Sequence, residues 1–494
     1  MATDDSEPAA DPAAVDARAG DGTRTNGVSA APSGTAADES TTAPERVTGG
    51  SRPPGEVTLD DPVTVGGTTV PNRLYRAPLL ECAGNGPDAV DTLVAELEPT
   101  AASGVGLVFQ GASVVTPEGG CVAPNMTRVH DPEFVAGLSQ LTGAIHDHGG
   151  RIFLQLAHGG LRSQAVWHAG YREDRPDHSE LAVSRPPWQL RALDRLGLVD
   201  LAPDVMSTGA VYDLADQFGR AAGCAVDAGY DGIHLSGANM GILQQFCSPL
   251  YNRRDDEFGT GPDDPPGSGG VRFLEAVHDA VRDHAGSVPL VTKVPAETAA
   301  PRFVRRHLTR ADAVRVATRV ADIGYDAVAP VEVSTFWDMS VVRGAYPERA
   351  WEAADMQAGY AAAFGGPLRA RVVAALNRLQ SRRFPREPAW NADLCRAVRD
   401  RVEVPVLCEG GVRERGTCDD LLADGACDMV GMGRPFYAEP RLGARLLGAD
   451  PGTRALCESC NNCTVPQVTG APGTCRTPSV VRARARRDRR GSYD

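Results

Sequence analysis

Lysine is almost missing from this chain: of its 50 lysines and arginines, all but Lys293 are arginine. A position that keeps an ammonium where guanidinium was used everywhere else suggests a need for a compact point charge. Chance retention is the alternative. No apolar run reaches the roughly eighteen residues of a membrane span. The first residues, MATDDSEPAADP, are acidic where a signal or transit peptide would be basic. These absences predict a cytoplasmic protein with no membrane partner. A formal charge of -14 argues against general nucleic-acid affinity. No early Gly-x-Gly-x-x-Gly follows a strand, which removes the signature of an open dinucleotide-binding sheet.

What is present is a chain of 494 residues with 54 Gly and 37 Pro, enough for one large barrel or two domains. Residues 1–55, rich in Ala, Pro, Gly, Thr and Asp without an apolar period, are expected to be a disordered acidic tail. Val57 to Val70, with Gly66-Gly67 between two β-rich runs, reads as a hairpin. Strands are then expected near Arg73–Ala77, Val105–Gln110, Arg151–Leu156, Gly232–Leu235, Leu290–Val294, Ala327–Val331, Val404–Cys408 and Asp428–Met432. Helices alternate with them near Ala89–Ala102, Pro132–His148, Tyr212–Ala228, Val271–His284, Arg310–Ile323, Asn391–Arg401, Glu414–Ala423 and Pro440–Leu447. Eight strand-then-helix units predict a closed (β/α)₈ TIM barrel over residues 56–450.

Two connections are long. The third, about 159–209, carries Trp167, Tyr171 and Trp188; the sixth, about 332–388, carries Phe336, Trp337, Tyr346, Trp351 and Tyr360. Connections of this size are usually lids or binding loops, surface excursions being the alternative. Residues 451–494 form a Cys-rich extension that ends in VVRARARRDRR, expected to be a solvated basic tail.

The stretch VPVLCEGGVRERGTCDDLLADGACDMVGMGRPF, Val404 to Phe436, reads as a βαβ unit whose strands both end in glycine: Gly410-Gly411, then Gly433-Arg434. Turns without side chains let backbone N–H groups approach an anion, and a guanidinium suits phosphate. One phosphorylated ligand held by both turns is expected.

PNRLYRAPL (Pro71–Leu79), FLQLAHGG (Phe153–Gly160), GYDGIHLSGANMGILQQFCSPLYNRRDDEFG (Gly229–Gly259) and the GG…GMGRP unit together resemble the Old Yellow Enzyme family. That resemblance implies an FMN-containing (β/α)₈ barrel that passes hydride from NAD(P)H to an activated alkene or related electrophilic small molecule. It implies that Ala77, Pro78 and Leu79 line the flavin, that Ala112 lies near it, and that Gln155 bonds its pyrimidine edge. Lys293 falls where the family places a cation at the flavin N1 and O2 region, and Gly410, Gly411, Gly433 and Arg434 would hold the phosphate.

The family's substrate-binding pair and proton-donating tyrosine align with Ser236, Asn239 and Gly241. Asn239 is kept, the first histidine is serine, and the tyrosine is glycine. A hydroxyl reaches less far than an imidazole as a donor to the substrate oxygen, and Gly241 has no proton to give, so a different proton donor is needed; Tyr171, from the third connection, is the candidate. His234 shares the strand face of Ser236 and reads either as packing or as a substrate contact, and His158 as structural or active-site. Cys457, Cys460, Cys463 and Cys475 are spaced Cys-x2-Cys-x2-Cys-x11-Cys, one residue shorter than the [4Fe-4S] pattern of larger relatives. An iron–sulfur cluster, zinc and no metal all remain open. Two further readings are a flavin-binding sensor or electron-transfer protein without turnover, and a Schiff-base aldolase built on Lys293. A homo-oligomer is compatible with all of them.

Overall fold

Eight short, inward-packed strands form one parallel sheet in the computed structural model, which describes residues 57–493. The expected N-terminal tail, 1–55, lies outside the described residues. The strands are β1 (Leu74–Arg76), β2 (Leu107–Val114), β3 (Arg151–Ala157), β4 (Gly232–Leu235), β5 (Leu290–Ala296), β6 (Ala327–Glu332), β7 (Leu407–Glu409) and β8 (Met429–Met432). Their order is β6-β5-β4-β3-β2-β1-β8-β7, each pair parallel. The two ends meet at a parallel bridge between Val328 and Val406, with Val328 N–H on Pro405 O at 3.1 Å. At the other end of the same seam the buried Asn391 side chain stands in for a ladder: its Oδ1 accepts from Glu332 N at 2.9 Å and its Nδ2 donates to Glu409 O at 2.7 Å. This is a TIM barrel, as expected.

Helices α1 (Ala89–Ala101), α2 (Ser139–His146), α3 (Thr208–Asp227), α4 (Ser268–Ala285), α5 (Arg310–Ile323), α6 (Ala392–Arg399), α7 (Arg415–Ala423) and α8 (Gly443–Leu446) follow the strands in turn. Local chemistry sets their ends. α5 starts at a capping box in which Thr309 and Asp312 satisfy each other's backbone N–H groups, and stops at Gly324 with φ 114°.

Tyr75, Phe109 and Phe153 fill the barrel interior edge to face, with centroids 5.5 and 5.7 Å apart. Glycines on neighbouring strands make room for these rings. A Cβ at Gly431 would lie 2.1 Å from the Tyr75 ring, and one at Gly232 2.4 Å from that of Phe153. The hairpin Val63–Val65/Thr68–Val70 plugs the N-terminal mouth with Val65 and Val70.

The third connection is partly ordered into a two-stranded parallel sheet, Glu180–Ala182 with Pro203–Val205, and the sixth into helices Gln357–Phe364 and Pro367–Arg383. They touch: the Trp167 ring lies 5.7 Å from Trp337 and 6.0 Å from Phe364. The arginine-rich end differs from expectation. It is a helix, Pro478–Asp488, docked through buried Val480 and Tyr493, with Tyr493 Oη donating to Glu439 Oε1 at 2.8 Å. Val480 is the one buried position within that helix, and Arg482 and Arg486 stay exposed.

Candidate active site

The segment after β1 sets the floor. Ala77 N–H donates to Met432 O at 3.0 Å, and the Leu79 carbonyl rests on Gly111, where a Cβ would lie 1.2 Å from it. Ala112 follows within β2, at the register shift between Gln110 and Ser113, rather than after the strand. Gly433 closes the same corner, its Cβ position 3.0 Å from Leu79 Cδ2.

Gln155 in β3 is buried and its Nε2 donates to His234 Nδ1 at 2.8 Å. Burial, and then Lys293, hold the imidazole well below its usual pKa, so it is neutral and free to accept. His234 therefore orients Gln155. Lys293, within β5, is ion-paired with Glu409 at the end of β7.

Beyond β4 the chain turns through Asn239 and Met240, both left-handed at φ 59° and 60°, a strained geometry that neighbours must impose. Two glutamines of the following helix impose it. Gln244 Oε1 accepts from Met240 N at 2.7 Å, and Gln245 Nε2 donates to Met240 O at 2.6 Å and Gly159 O at 2.9 Å. Gln244 Nε2 also reaches Glu297 Oε1 and Ser334 O, each at 3.0 Å, so the loops after four strands are fastened together. Ser236 and Asn239 remain partly exposed on this rim. A Cβ at Gly241 would sit 3.2 Å from Ser236 O and 3.5 Å from His158 O, a close approach that a side chain there would meet with only a small shift of the loop.

A cavity of about 540 Å³ opens beside the third connection, lined by His158, Tyr171, Arg175, Asp177, His178 and Glu180, among others. Glu180 was not singled out from the sequence. Burial raises its carboxyl to a pKa of about 7, with Ser163 Oγ donating to it and Gly120 N at 3.4 Å. His158, whose Nε2 lies 3.9 Å from Glu180 Oε1, is depressed to about 3 by burial. Tyr171 thus stands beside a neutral imidazole and a carboxyl poised near neutrality.

At the glycine turns, Gly410 and Gly411 have φ 120° and 77°, and a Cβ would meet the Trp390 ring at 2.7 Å and Glu387 O at 2.0 Å respectively. Only glycine fits either position. Arg434 donates to Val342 O at 3.3 Å, Arg343 O at 2.8 Å and Asn461 Oδ1, tying β8 to the sixth connection and the extension. Arg413, which the sequence reading passed over, lies near Arg434 and Arg386; its Nε is buried without a partner. Neighbouring cations and an orphaned donor beside glycine turns fit a phosphate.

The four extension cysteines line one pocket with Arg434, but its volume is about 10 Å³, room for one water. Cys460 Sγ is engaged with Thr477 Oγ1 at 2.9 Å and Asn462 Nδ2 at 3.4 Å. Among the described residues no group of three or more His, Cys, Asp or Glu is placed to hold a metal. The iron–sulfur expectation is therefore not supported, because the thiols share a pocket without enclosing the space a cluster fills.

A sequence profile of the NADH:flavin oxidoreductase / NADH oxidase family matches residues 58–362. The chain belongs to this family of flavin-dependent oxidoreductases, as its resemblance to Old Yellow Enzyme implies. It is 28% identical over 290 residues to an NADPH dehydrogenase of Geobacillus sp. (strain WCH70), covering 57% of this chain and 76% of that one. It is 27% identical over 429 residues to the 4,4'-dithiodibutanoate disulfide reductase of Rhodococcus erythropolis, covering 85% and 96%. Its fold is similar to part of a 2-naphthoyl-CoA reductase structure, at TM-score 0.64 and 16% identity over 88% of this chain; the match spans 58% of that larger chain.

Proposed function

We propose that the chain holds FMN across the C-terminal end of the barrel and uses it to move hydride from NAD(P)H to an electrophilic small molecule. The observation that carries this reading is the convergence on one barrel end of Leu79 seated on Gly111, Gln155 oriented by His234, Lys293, and two glycine turns beside Arg413 and Arg434. FMN supplies a two-electron relay between donor and acceptor.

The protein's own groups do the rest. Arg413, Gly410, Gly411, Gly433 and Arg434 hold the phosphate end, Ala77 to Leu79 and Ala112 line the ring, and Gln155 sets its register. Lys293 places a positive charge that favours the anionic reduced form, while Glu409 moderates it. Ser236 and Asn239 donate to the electron-withdrawing group of the acceptor. Tyr171, beside Glu180, returns the proton.

The use of serine at 236 and glycine at 241 favours, as a second reading, a flavoprotein without alkene turnover. Anaerobic stopped-flow separates the two. Bleaching by NADPH followed by recolouring on addition of an activated alkene supports the enzyme, whereas bleaching without recolouring by any acceptor supports the sensor. Imine chemistry at Lys293 starts from a free amine, and its ion pair with Glu409 uses the ammonium.

A further inference from the structure

Arg162 has no place in the scheme above, and its surroundings are unusual. It follows β3, in the one-turn segment Gly160–Arg162, and among the described residues it forms no ion pair. Burial alone lowers its pKa to about 10, with no neighbouring charge of either sign contributing, yet the residue keeps some accessible surface. A cation so enclosed keeps part of its surface open to water and has no counter-charge beside it. Leaving it there unpaired is costly.

Its partner is Asn239. With the amide oriented so that its oxygen faces the guanidinium, Nη1 and Nη2 donate to that oxygen at 2.8 and 3.0 Å. This forked contact fixes the Asn239 amide and brings a formal positive charge to the rim where Ser236 and Asn239 stand. The arrangement is held from beneath, since Gln245 Oε1 accepts from Leu161 N at 3.3 Å while its Nε2 holds the carbonyls of Gly159 and Met240.

We propose that Arg162 recognises a carboxylate, so that the acceptor reduced by this protein is an organic acid whose carboxylate docks on the Arg162 guanidinium beside Asn239. A planar fork with remaining donors matches a carboxylate. One isolated guanidinium matches one negative charge, whereas a phosphate dianion would call for a second cation. The inference rests on the flavoenzyme reading and adds the substrate class to it.

The test uses FMN-loaded protein and an unreactive pair of equal shape, benzoate and benzamide, with binding followed by the shift of the flavin absorption bands. Benzoate should bind at least about tenfold tighter than benzamide. Arg162→Gln should weaken benzoate by about 10- to 100-fold and abolish the preference, and Arg162→Lys should keep part of it. FMN uptake of each variant, read from the same bands, shows that it is folded. Equal binding of the two probes by the wild-type protein, or a preference that survives in Arg162→Gln, overturns the assignment and leaves the flavoenzyme reading standing. A wild-type protein that takes up no FMN overturns both.

Discussion

Replacing Gly111 by alanine tests how the flavin floor is built. The added Cβ would lie 1.2 Å from Leu79 O and 2.4 Å from the Leu79 carbonyl carbon, whereas a comfortable carbon–oxygen approach is about 3.3 Å. Either β2 or the segment after β1 must retreat by about 2 Å. The obstruction is backbone, so no rotamer change relieves it. Overpacking by a methyl costs about 1–3 kcal/mol where side chains can yield, and here the upper end applies, equivalent to a fall in Tm of about 5 °C. A shift of this size beside the ring should raise the FMN dissociation constant about 100-fold, or about 2.7 kcal/mol. Calorimetry and fluorescence titration with FMN read both quantities. Gly67→Ala, with nothing within 4 Å of its Cβ, is the control and should change neither. A Gly111→Ala protein with wild-type Tm and FMN affinity would refute the placement of Leu79 over this glycine.

Lys293→Gln should lower the midpoint potential of bound FMN and slow its reduction by NADPH about 10- to 100-fold, while Glu409→Gln should raise the potential by freeing the ammonium; spectroelectrochemistry checks both signs. Arg413→Gln should weaken FMN by about tenfold or more and leave riboflavin unchanged, as titration of both flavins would show. Glu180 has its folded pKa raised to about 7, so its contribution to stability is complete below the unfolded value of about 4.5 and is lost as pH rises to 7. Glu180→Gln should therefore flatten the decline of denaturant stability across that window by up to one proton, about 3 kcal/mol in all, with Glu297, also raised to about 7, supplying a slope of its own.

The barrel was legible because alternation of apolar runs reports each element locally. β4 and α5 fall where the pattern places them. β7 starts later than its apolar run, at Leu407, since Pro405 has no N–H to give a ladder. The stretch expected as one helix at 132–148 divides at Leu138. Glycine turns and the motif glutamines also declare themselves in sequence. Arg162, Glu180, Asn391 and Arg413 do not, because each owes its state to the folded surroundings: burial raises the Glu180 carboxyl against the opposing hydrogen bonds of Gly120 and Ser163, and Asn391 matters only once β6 and β7 are side by side.

That last residue gives the barrel a zip with two fasteners, a backbone contact at Val328 and an amide at Asn391, between strands that elsewhere lack a shared ladder. Changes of circumference are absorbed most cheaply there. The ion pair between Lys293 and Glu409 spans this edge from inside, so the seam lies directly beside the charge proposed to face the flavin. Hydrogen exchange at the Val328 and Glu332 amides, measured with and without FMN, is the test of whether that seam gives when the site is filled.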